Sequence, residues 1–374
     1  MTQQQGIVKG NSLRRMRAGG NSKVWVGFWS VAKPVKENAM VREGSVEGAR
    51  ARKGISRKGI VGAVFALAMC GPLVASYGAA PKVFKSHPNP VTNYSQAVER
   101  VEALRAAEVG LSPEAHTFLL THGDKTEKAI VLIPGFNALP CSYDELAMRL
   151  FGRGYNVLSV AMPYQGLEDR MTTKLAKVRY EEWIRYADEA VDIGRGLGKH
   201  LTVAGISLGG LITGWVAQQR QDVDRAVLIS PGYAFKAWPE PLDGIVSGFF
   251  TLLPNMFLWE DEKLKADYPA YFGYPRFPTK GVVQIVRFHM GLKDLAKKSV
   301  PAAKDVIVIT NAGDGGVDNR GTAKVVANWQ KRGAEIKTYE FSKELHVGHD
   351  IIDPRRPDAQ VEAIYPVLLD FIDK

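Results

Sequence analysis

Apolar and polar positions follow two alternating periods from about residue 90 to the C-terminus. Short apolar runs predict buried strands, at Thr117–Thr121, Ala129–Ile133, Asn156–Ala161, Leu201–Ile206, Arg225–Ile229, Val306–Thr310 and Ile336–Phe341. Longer stretches with apolar residues three or four positions apart predict helices, at Tyr94–Glu108, Tyr143–Gly152, Tyr180–Leu197, Gly210–Gln219, Thr322–Arg332 and Ala359–Ile372. This alternation predicts the α/β class, with a mostly parallel sheet covered by helices on both faces.

The stretch Gly205-Ile206-Ser207-Leu208-Gly209 lies between a predicted strand and a predicted helix. A sharp turn at such a junction holds the central serine in a strained conformation and presents its hydroxyl at the edge of the sheet. The flanking glycines leave room for the strand and the helix to meet. We therefore predict that Ser207 is a nucleophile, which needs a histidine base and a carboxylate to act at neutral pH.

Candidates for the carboxylate and the base follow the serine in chain order. Asp314 lies in a Gly-rich loop directly after a predicted strand, and His346 and His349 follow the next strand. Asp318 is an alternative acid, although its position fits a cap for the helix predicted to begin near Thr322. No further Cys, His or acidic cluster with zinc-like spacing completes the His346-x-x-His349 pair, so no metal site is predicted.

Backbone N–H groups that would stabilise an oxyanion are predicted at two places. The first is Leu208, directly after the nucleophile and at the start of a helix. The second is Phe136, in the loop Pro134-Gly135-Phe136-Asn137 that follows an early strand. An ordinary turn is the alternative interpretation of Pro134-Gly135 taken by itself, so this assignment depends on the serine motif downstream.

Several motifs together resemble those of one enzyme family. They run in the order Ile133-Pro134-Gly135-Phe136, Gly154-Tyr155-Asn156-Val157, Pro163-Tyr164-Gln165-Gly166, Glu182-Trp183 and Gly205-Ile206-Ser207-Leu208-Gly209-Gly210. From about Ala115 to the C-terminus, the chain resembles the carboxylesterase and monoacylglycerol lipase branch of the α/β-hydrolases, which includes serine aminopeptidase-like members. The resemblance implies the α/β-hydrolase fold, with a cap inserted into it.

The resemblance also implies a role for each matched residue. These are the nucleophile Ser207, the acid Asp314, the base His349, and the oxyanion donors Phe136 and Leu208. The segment Gly348-His349-Asp350 resembles the one that carries the base in similar bacterial hydrolases, which favours His349 over His346. Two departures alter the wall of the site: Pro134-Gly135 stands where the family has His-Gly, and Tyr164-Gln165-Gly166 stands where it has Gly-His-Gly.

An insertion interrupts the strand–helix alternation at about residues 232 to 295. It is rich in large apolar residues, namely Trp238, Phe249, Phe250, Leu252, Leu253, Phe257, Trp259, Tyr268, Tyr271 and Phe272. The resembled family carries its cap at this position, and we expect these side chains to exclude water and to contact an acyl chain. The alternative is a helical extension whose aromatic residues pack on each other.

The first 60 residues differ from the rest of the chain in charge. They contain 13 Lys and Arg against 3 acidic residues, whereas the remainder contains 36 of each. The net charge of +10 therefore lies in the N-terminal segment, and the balanced remainder argues against a nucleic-acid groove. Residues 1–58 lack a sustained apolar period and are predicted to be disordered. A later start of the chain, for instance at Met40, is an alternative.

The stretch Gly59–Ala80 contains 22 residues without a charge, which is long enough to span a bilayer. Small residues near Ser76 to Ala80 also suit signal cleavage, whereas Met69 disfavours a lipoprotein site at Cys70. Basic residues before the stretch are expected to stay in the cytoplasm, so the hydrolase domain, residues 81–374, is expected outside it. The sequence therefore predicts a cell-envelope protein that is anchored through residues 59–80 or exported.

Together these features predict a serine hydrolase that cleaves carboxylic esters, of the acyl-ester or monoacylglycerol type, through an acyl-enzyme. The expected partner is a small ester with an apolar acyl group, and no cofactor, metal or nucleic acid is expected. Alternatives are an amide or peptide hydrolase of the same fold and a catalytically inactive binding module. The complete Ser, Asp and His set argues against the inactive module. With only Cys70 and Cys141 in the chain, no internal disulfide is expected.

Overall fold

A twisted sheet forms the centre of the computed structural model, which describes residues 78–83, 85–261 and 267–373. Its strands are β1 Phe118–Leu120, β2 Thr126–Ile133, β3 Tyr155–Ser159, β4 Gly198–Ile206, β5 Arg225–Ile229, β8 Asp305–Asn311 and β9 Ile336–Phe341, while β6 Phe257–Trp259 and β7 Arg276–Pro278 form a separate pair. Within the described ranges the seven strands of the sheet lie in the order β1-β3-β2-β4-β5-β8-β9. Only the pairing of β1 with β3 is antiparallel in this sheet.

Helices cover both faces of the sheet. They are α1 Tyr94–Ala107, α2 Asp144–Phe151, α3 Tyr180–Leu197, α4 Leu208–Gln219, α5 Asp243–Leu252, α6 Thr279–Ala296, α7 Asn319–Lys331 and α8 Val361–Asp373. Along β2, Ala129, Val131 and Ile133 face the core that contains α3 and α4, whereas Ile130 and Leu132 face the core that contains α2 and α8. Burial on both faces explains the continuous apolar run of this strand, and it confirms the predicted fold class.

The position of β2 between β3 and β4 creates a crevice at one edge of the sheet. The chain order of the strands reverses at β2, so the loops that follow the neighbouring strands diverge at their carboxyl ends. Ile133, the last residue of β2, pairs with Gly205 near the end of β4. The loop that begins at Pro134 and the turn at Ser207 therefore leave the sheet side by side.

The segment between β5 and β8 forms a cap over this edge. It contains α5, the β6–β7 hairpin and α6. It reaches the loop after β2, since a Cβ added at Gly281 would lie 2.6 Å from Cζ of Phe136. Of the large apolar residues of the cap that were expected to contact an acyl chain, Phe249 and Leu252 are exposed and do not line the cavity that contains Ser207. Phe272, in contrast, lines the cavity beneath the cap.

The first described residues run along the helices of the cap. The backbone at Gly78 contacts α5 so closely that a Cβ there would lie 2.3 Å from the carbonyl oxygen of Gly244. A Cβ at Gly291 in α6 would lie 2.4 Å from Cγ2 of Val83. The chain therefore contacts the cap before it enters the α/β core.

Two predictions about the N-terminus fall on residues that the structure does not describe. The basic segment 1–58 lies outside the described residues, and only residues 78–80 of the uncharged stretch lie within them. Among the described helices, none combines the length and the apolar character needed to cross a membrane. The membrane segment and the cell-envelope location therefore stay predictions.

Candidate active site

Ser207 occupies a strained turn between β4 and α4, with φ 59° and ψ −114°. A positive φ outside glycine costs about 1–3 kcal/mol and persists only where the surroundings hold it. Here the N–H of Ser207 donates to the carbonyl oxygen of Ile229 at 3.0 Å, and its own carbonyl accepts from the N–H of Gly232 at 3.2 Å. The flanking glycines are required, because a Cβ at Gly205 would lie 2.3 Å from the carbonyl oxygen of Gly209.

His349 and Asp314 form a close pair in the loops after β9 and β8. Nδ1 of His349 lies 2.6 Å from Oδ2 of Asp314, which is 1% exposed. The other carboxylate oxygen of Asp314 accepts the N–H groups of Gly316 and Val317 at 2.8 and 2.9 Å. These backbone donors fix the carboxylate, which in turn orients the imidazole.

Burial and charge act in opposite directions on this pair. Burial raises the pKa of Asp314 and the neighbouring imidazolium lowers it, with the net result below the ordinary carboxyl value. Burial lowers the pKa of His349 and Asp314 raises it, with the net result above the ordinary imidazole value. Since an ionised carboxylate only accepts hydrogen bonds, Nδ1 carries the proton and Nε2 of the neutral ring can act as a base.

The two alternatives that the sequence offered lie in other surroundings. His346 adopts a left-handed conformation, and its Nδ1 lies 2.6 Å from the carbonyl oxygen of Glu344. Asp318 is the N-cap of α7, where its carboxylate accepts the N–H of Arg320 at 3.0 Å. The structure therefore brings His349, and not His346, to the carboxylate that follows β8.

Ser207, His349 and Phe136 line one cavity of about 80 Å³. The loop after β2 approaches the serine closely, since a Cβ at Gly135 would lie 3.5 Å from Cβ of Ser207. Leu208 is the first residue of α4, so its N–H is one of those that a helix leaves without an intrahelical partner. The helix dipole also favours negative charge at this end. Both predicted oxyanion donors thus belong to backbone segments next to the serine.

Sequence reasoning missed the residues that hold the loop after β2. Asn137 has φ 62° and is 4% exposed. Its N–H donates to the side-chain oxygen of Gln165. Its side chain donates to the carbonyl oxygen of Tyr274 at 2.7 Å and accepts the N–H of Tyr274 at 2.9 Å. Gln165 was noted only as a departure from the family pattern, yet its side chain reaches the loop that carries Phe136.

Charged residues also line the cavity, and sequence reasoning assigned none of them a place in its wall. Glu260 from the cap, Asp350, Asp358 and Arg356 line it together with Phe272. Nε of Arg356 lies 3.3 Å from Oδ2 of Asp350, and its guanidinium lies 4.0 Å from the ring centre of Phe272. Burial raises the pKa of Glu260, although Arg356 lowers it. Three carboxyl groups beside one guanidinium make the wall unfavourable for an anionic substrate.

Comparison with known proteins agrees with this architecture. A model of the alpha/beta hydrolase family matches residues 130–363. Comparison with curated protein sequences gives no match. The resemblance predicted from the sequence motifs is thus confirmed for the family.

Solved structures of lipases are similar in fold. A structure reported for the metagenome-derived lipolytic enzymes LipS and LipT has a TM-score of 0.50 at 16% identity, covering 70% of this chain and 98% of that chain. The monoacylglycerol lipase of Paleococcus ferrophilus gives 0.51 at 17% identity, with 69% and 97% covered. A soluble variant of the monoglyceride lipase of Saccharomyces cerevisiae, in complex with a substrate analogue, gives 0.51 at 14% identity, with 69% and 90% covered. At these identities the likeness shows the fold alone.

Proposed function

Because the chain belongs to the alpha/beta hydrolase family, we propose that it is a serine hydrolase that cleaves carboxylic esters. The observation that carries the proposal is the 2.6 Å contact between Asp314 and His349, together with the cavity that His349 lines with the strained Ser207. A serine hydroxyl and an imidazole that face one cavity, with a buried carboxylate behind the imidazole, are the components of acyl transfer.

The reaction follows from the roles of these groups. As the hydroxyl oxygen of Ser207 attacks the ester carbon, Nε2 of His349 takes its proton. The carbonyl electron pair moves to the oxygen, where the N–H groups of Phe136 and Leu208 stabilise it. The C–O bond to the alcohol then breaks, and the imidazolium protonates the leaving alkoxide. Water, deprotonated by His349, then attacks the acyl carbon; the bond to Oγ of Ser207 breaks, the acid leaves, and the imidazolium returns the proton to Ser207. Asp314 stays ionised throughout.

The cavity wall supports a neutral ester with an apolar acyl group as the substrate. Phe136 and Phe272 supply apolar surface, whereas Glu260 and Asp350 oppose a negative charge on the substrate. The cavity of about 80 Å³ is small beside ligand pockets, which start at about 300 Å³. A long acyl chain therefore requires the cap side chains, Phe272 among them, to move apart.

A panel of p-nitrophenyl esters compared with aminoacyl anilides tests the proposal. We expect ester hydrolysis and labelling by a fluorophosphonate probe, and the loss of both in Ser207→Ala. Faster cleavage of the anilides would identify an amide hydrolase instead. A folded wild-type chain that neither reacts nor takes up the probe would be a binding module.

For the location, we propose that the stretch Gly59–Ala80 attaches the protein to the membrane and that the hydrolase domain lies outside the cytoplasm. The support is the charge asymmetry about this stretch, which is basic before it and balanced after it. Protease added to intact spheroplasts should then digest the hydrolase domain of the anchored form. Recovery of the uncut full chain from the cytosol would contradict this location without affecting the proposed chemistry.

A further inference from the structure

A second pair of histidine and aspartate lies buried between the cap and the segment that follows β5. His289 of α6 is fully buried, and Asp243 of α5 is nearly so. Nε2 of His289 lies 2.9 Å from Oδ2 of Asp243, and Nδ1 lies 3.0 Å from the carbonyl oxygen of Gly232. Both ring nitrogens are therefore in contact with oxygen atoms, and Nδ1 joins the cap to the backbone after β5.

The carboxylate of Asp243 fixes the orientation of this ring. Its Oδ1 accepts the indole N–H of Trp238 at 2.8 Å, and its Oδ2 accepts a hydrogen bond from Nζ of Lys293 at 2.8 Å. A proton shared between Oδ2 and Nε2 completes the pair with His289. A carbonyl oxygen only accepts hydrogen bonds, so Nδ1 must carry a proton in its contact with Gly232.

Gly232 depends on such a contact to keep its conformation. A Cβ at this position would make only ordinary contacts, 3.6 Å from Leu211 and 3.7 Å from Phe235, so packing leaves this glycine its wide conformational freedom. The peptide groups on its two sides are joined, because the N–H of Tyr233 donates to the carbonyl oxygen of Pro231 at 2.8 Å. Holding the carbonyl of Gly232 therefore also holds its N–H.

The N–H of Gly232 reaches the turn that carries the nucleophile. It donates to the carbonyl oxygen of Ser207 at 3.2 Å. The same oxygen accepts the N–H of Leu211 at 3.0 Å, which belongs to α4, the helix that begins after the serine. The contact from Gly232 thus holds the serine carbonyl from outside this helix.

The peptide group between Ser207 and Leu208 carries both this carbonyl and the N–H that we assign to the oxyanion. A trans peptide group is planar, and its C=O and N–H point in opposite directions. The orientation of the Ser207 carbonyl therefore sets the direction of the Leu208 N–H. A rotation of this peptide group would turn the N–H away from the oxyanion.

We propose that His289 is a positioning residue for the Leu208 N–H and acts through the backbone of Gly232, an assignment that rests on the proposed ester hydrolysis. The path leads from Nδ1 of His289 to Gly232, from Gly232 to the carbonyl of Ser207, and across one peptide group to Leu208. His289 does not line the cavity that contains Ser207. Since an oxyanion donor acts mainly in the transition state, loss of this path should lower kcat and leave KM nearly unchanged.

Two substitutions separate the roles of the two ring nitrogens. The side-chain nitrogen of asparagine takes the place of Nδ1, whereas that of glutamine reaches the place of Nε2, and both are hydrogen-bond donors. His289→Asn therefore keeps a donor for Gly232 and gives up the contact with Asp243. His289→Gln keeps the contact with Asp243 and gives up the one with Gly232, so each variant is the matched control of the other.

The kinetics of p-nitrophenyl acetate hydrolysis compare the two variants. We expect kcat to fall by about 10- to 100-fold in His289→Gln at nearly constant KM, because a misdirected donor stabilises the transition state less. His289→Asn should keep kcat within about fivefold of wild type, since the donor to Gly232 remains. Near-ultraviolet circular dichroism checks that both variants fold.

A role in packing or in pairing with Asp243 alone would give the opposite order. The asparagine variant is then the slower one, because its side chain is shorter and leaves the carboxylate of Asp243 without its ring. A slower His289→Asn, or a kcat in His289→Gln equal to that of wild type, would overturn the proposal.

NMR of the unaltered full chain tests the contact without any assay of activity. With ¹⁵N in the histidine rings, the spectra show which ring nitrogens carry protons, and the signal of His289 is assigned by its contact with the ring of Phe235, 5.6 Å between ring centres. We expect a proton on Nδ1 that exchanges slowly with water, because the ring is fully buried. An Nδ1 without a proton would overturn the proposal, also where the variants fail to fold. Absence of ester hydrolysis by wild type would contradict the proposed function, and the proton on Nδ1 would still decide whether His289 holds Gly232.

Discussion

Nδ1 of His349 lies 2.6 Å from Oδ2 of Asp314, and the second oxygen of that carboxylate is held by two backbone N–H groups. The carboxylate therefore cannot turn away from the imidazole without losing these donors. This contact fixes the tautomer of the ring and leaves Nε2 as the basic atom on the cavity side. The predictions below test what depends on this pair and on the backbone around it.

The first prediction concerns pH. His349 acts as a base only when neutral, and its pKa is raised above the ordinary value by Asp314, so activity should fall as pH drops through a pKa above about 6.5. Asp314→Asn removes the charge that raises this pKa. We expect the acid limb of kcat/KM to move to lower pH and kcat to fall by about 10³-fold or more. An acid limb at the same pH in Asp314→Asn and wild type would contradict the pairing of Asp314 with His349.

The second prediction distinguishes the two histidines. His349→Ala should lower kcat by at least about 10³-fold, as the loss of a triad member does. His346→Ala should have far less effect, because the side chain of His346 contacts the backbone at Glu344. Single-turnover hydrolysis of one p-nitrophenyl ester compares the two variants. A larger loss in His346→Ala would refute the assignment of the base.

The third prediction concerns the strain at Ser207. Glycine tolerates the positive φ of this turn, whereas alanine retains the strain. Both Ser207→Gly and Ser207→Ala should be inactive. The free energy of unfolding should be about 1 kcal/mol higher for the glycine variant, a net value in which the relief of strain is reduced by the greater freedom of glycine in the unfolded chain. Urea denaturation of the two inactive proteins measures this difference. Equal midpoints would argue against strain at the turn.

The fourth prediction concerns the loop that carries Phe136. Asn137→Gly keeps the positive φ but removes both side-chain hydrogen bonds to Tyr274. Oxyanion donors act mainly in the transition state, so kcat should fall by about 10- to 100-fold with little change in KM. Arg276→Met is the control, since it breaks a hydrogen bond from the cap to Met171 that lies outside the loop. A similar loss of kcat in Asn137→Gly and Arg276→Met would contradict the prediction, because it would show that any disturbance of the cap lowers the rate.

Much of the fold could be predicted because it depends on local patterns. The predicted bounds of the helix Tyr180–Leu197 and of the strands Arg225–Ile229 and Ile336–Phe341 agree with the structure residue for residue. In each of these segments the apolar pattern stops at both ends, where the flanking residues do not continue it. Strand β2 begins at Thr126, three residues before the predicted start at Ala129. Its first residues pair in the sheet, but they are polar and not fully buried, so the apolar pattern does not include them.

The remaining features depend on contacts between distant parts of the chain. Asn137 meets Tyr274 across 137 residues, and no local pattern marks either residue as a partner of the other. Glu260 reaches the cavity because the cap folds back over the sheet edge. Phe249 was expected inside the cap on account of its hydrophobicity, but the buried ion contacts of Asp243 turn it outward. In α5 the buried polar contacts of Asp243, rather than the burial of apolar side chains, determine which side of the helix faces the protein.

The hydrogen bonds between Asn137 and Tyr274 also limit how this protein can be engineered and how it can have evolved. A cap inserted between two strands resembles an exchangeable module, which could be shortened or replaced to change specificity. Here the backbone at position 274 forms part of the support for the loop beside Ser207. A grafted cap would have to restore one N–H and one carbonyl group at the same place. Sequence change in the cap and in the loop after β2 is therefore expected to be correlated between relatives, and a chimera that ignores this would lose rate rather than merely change its substrate.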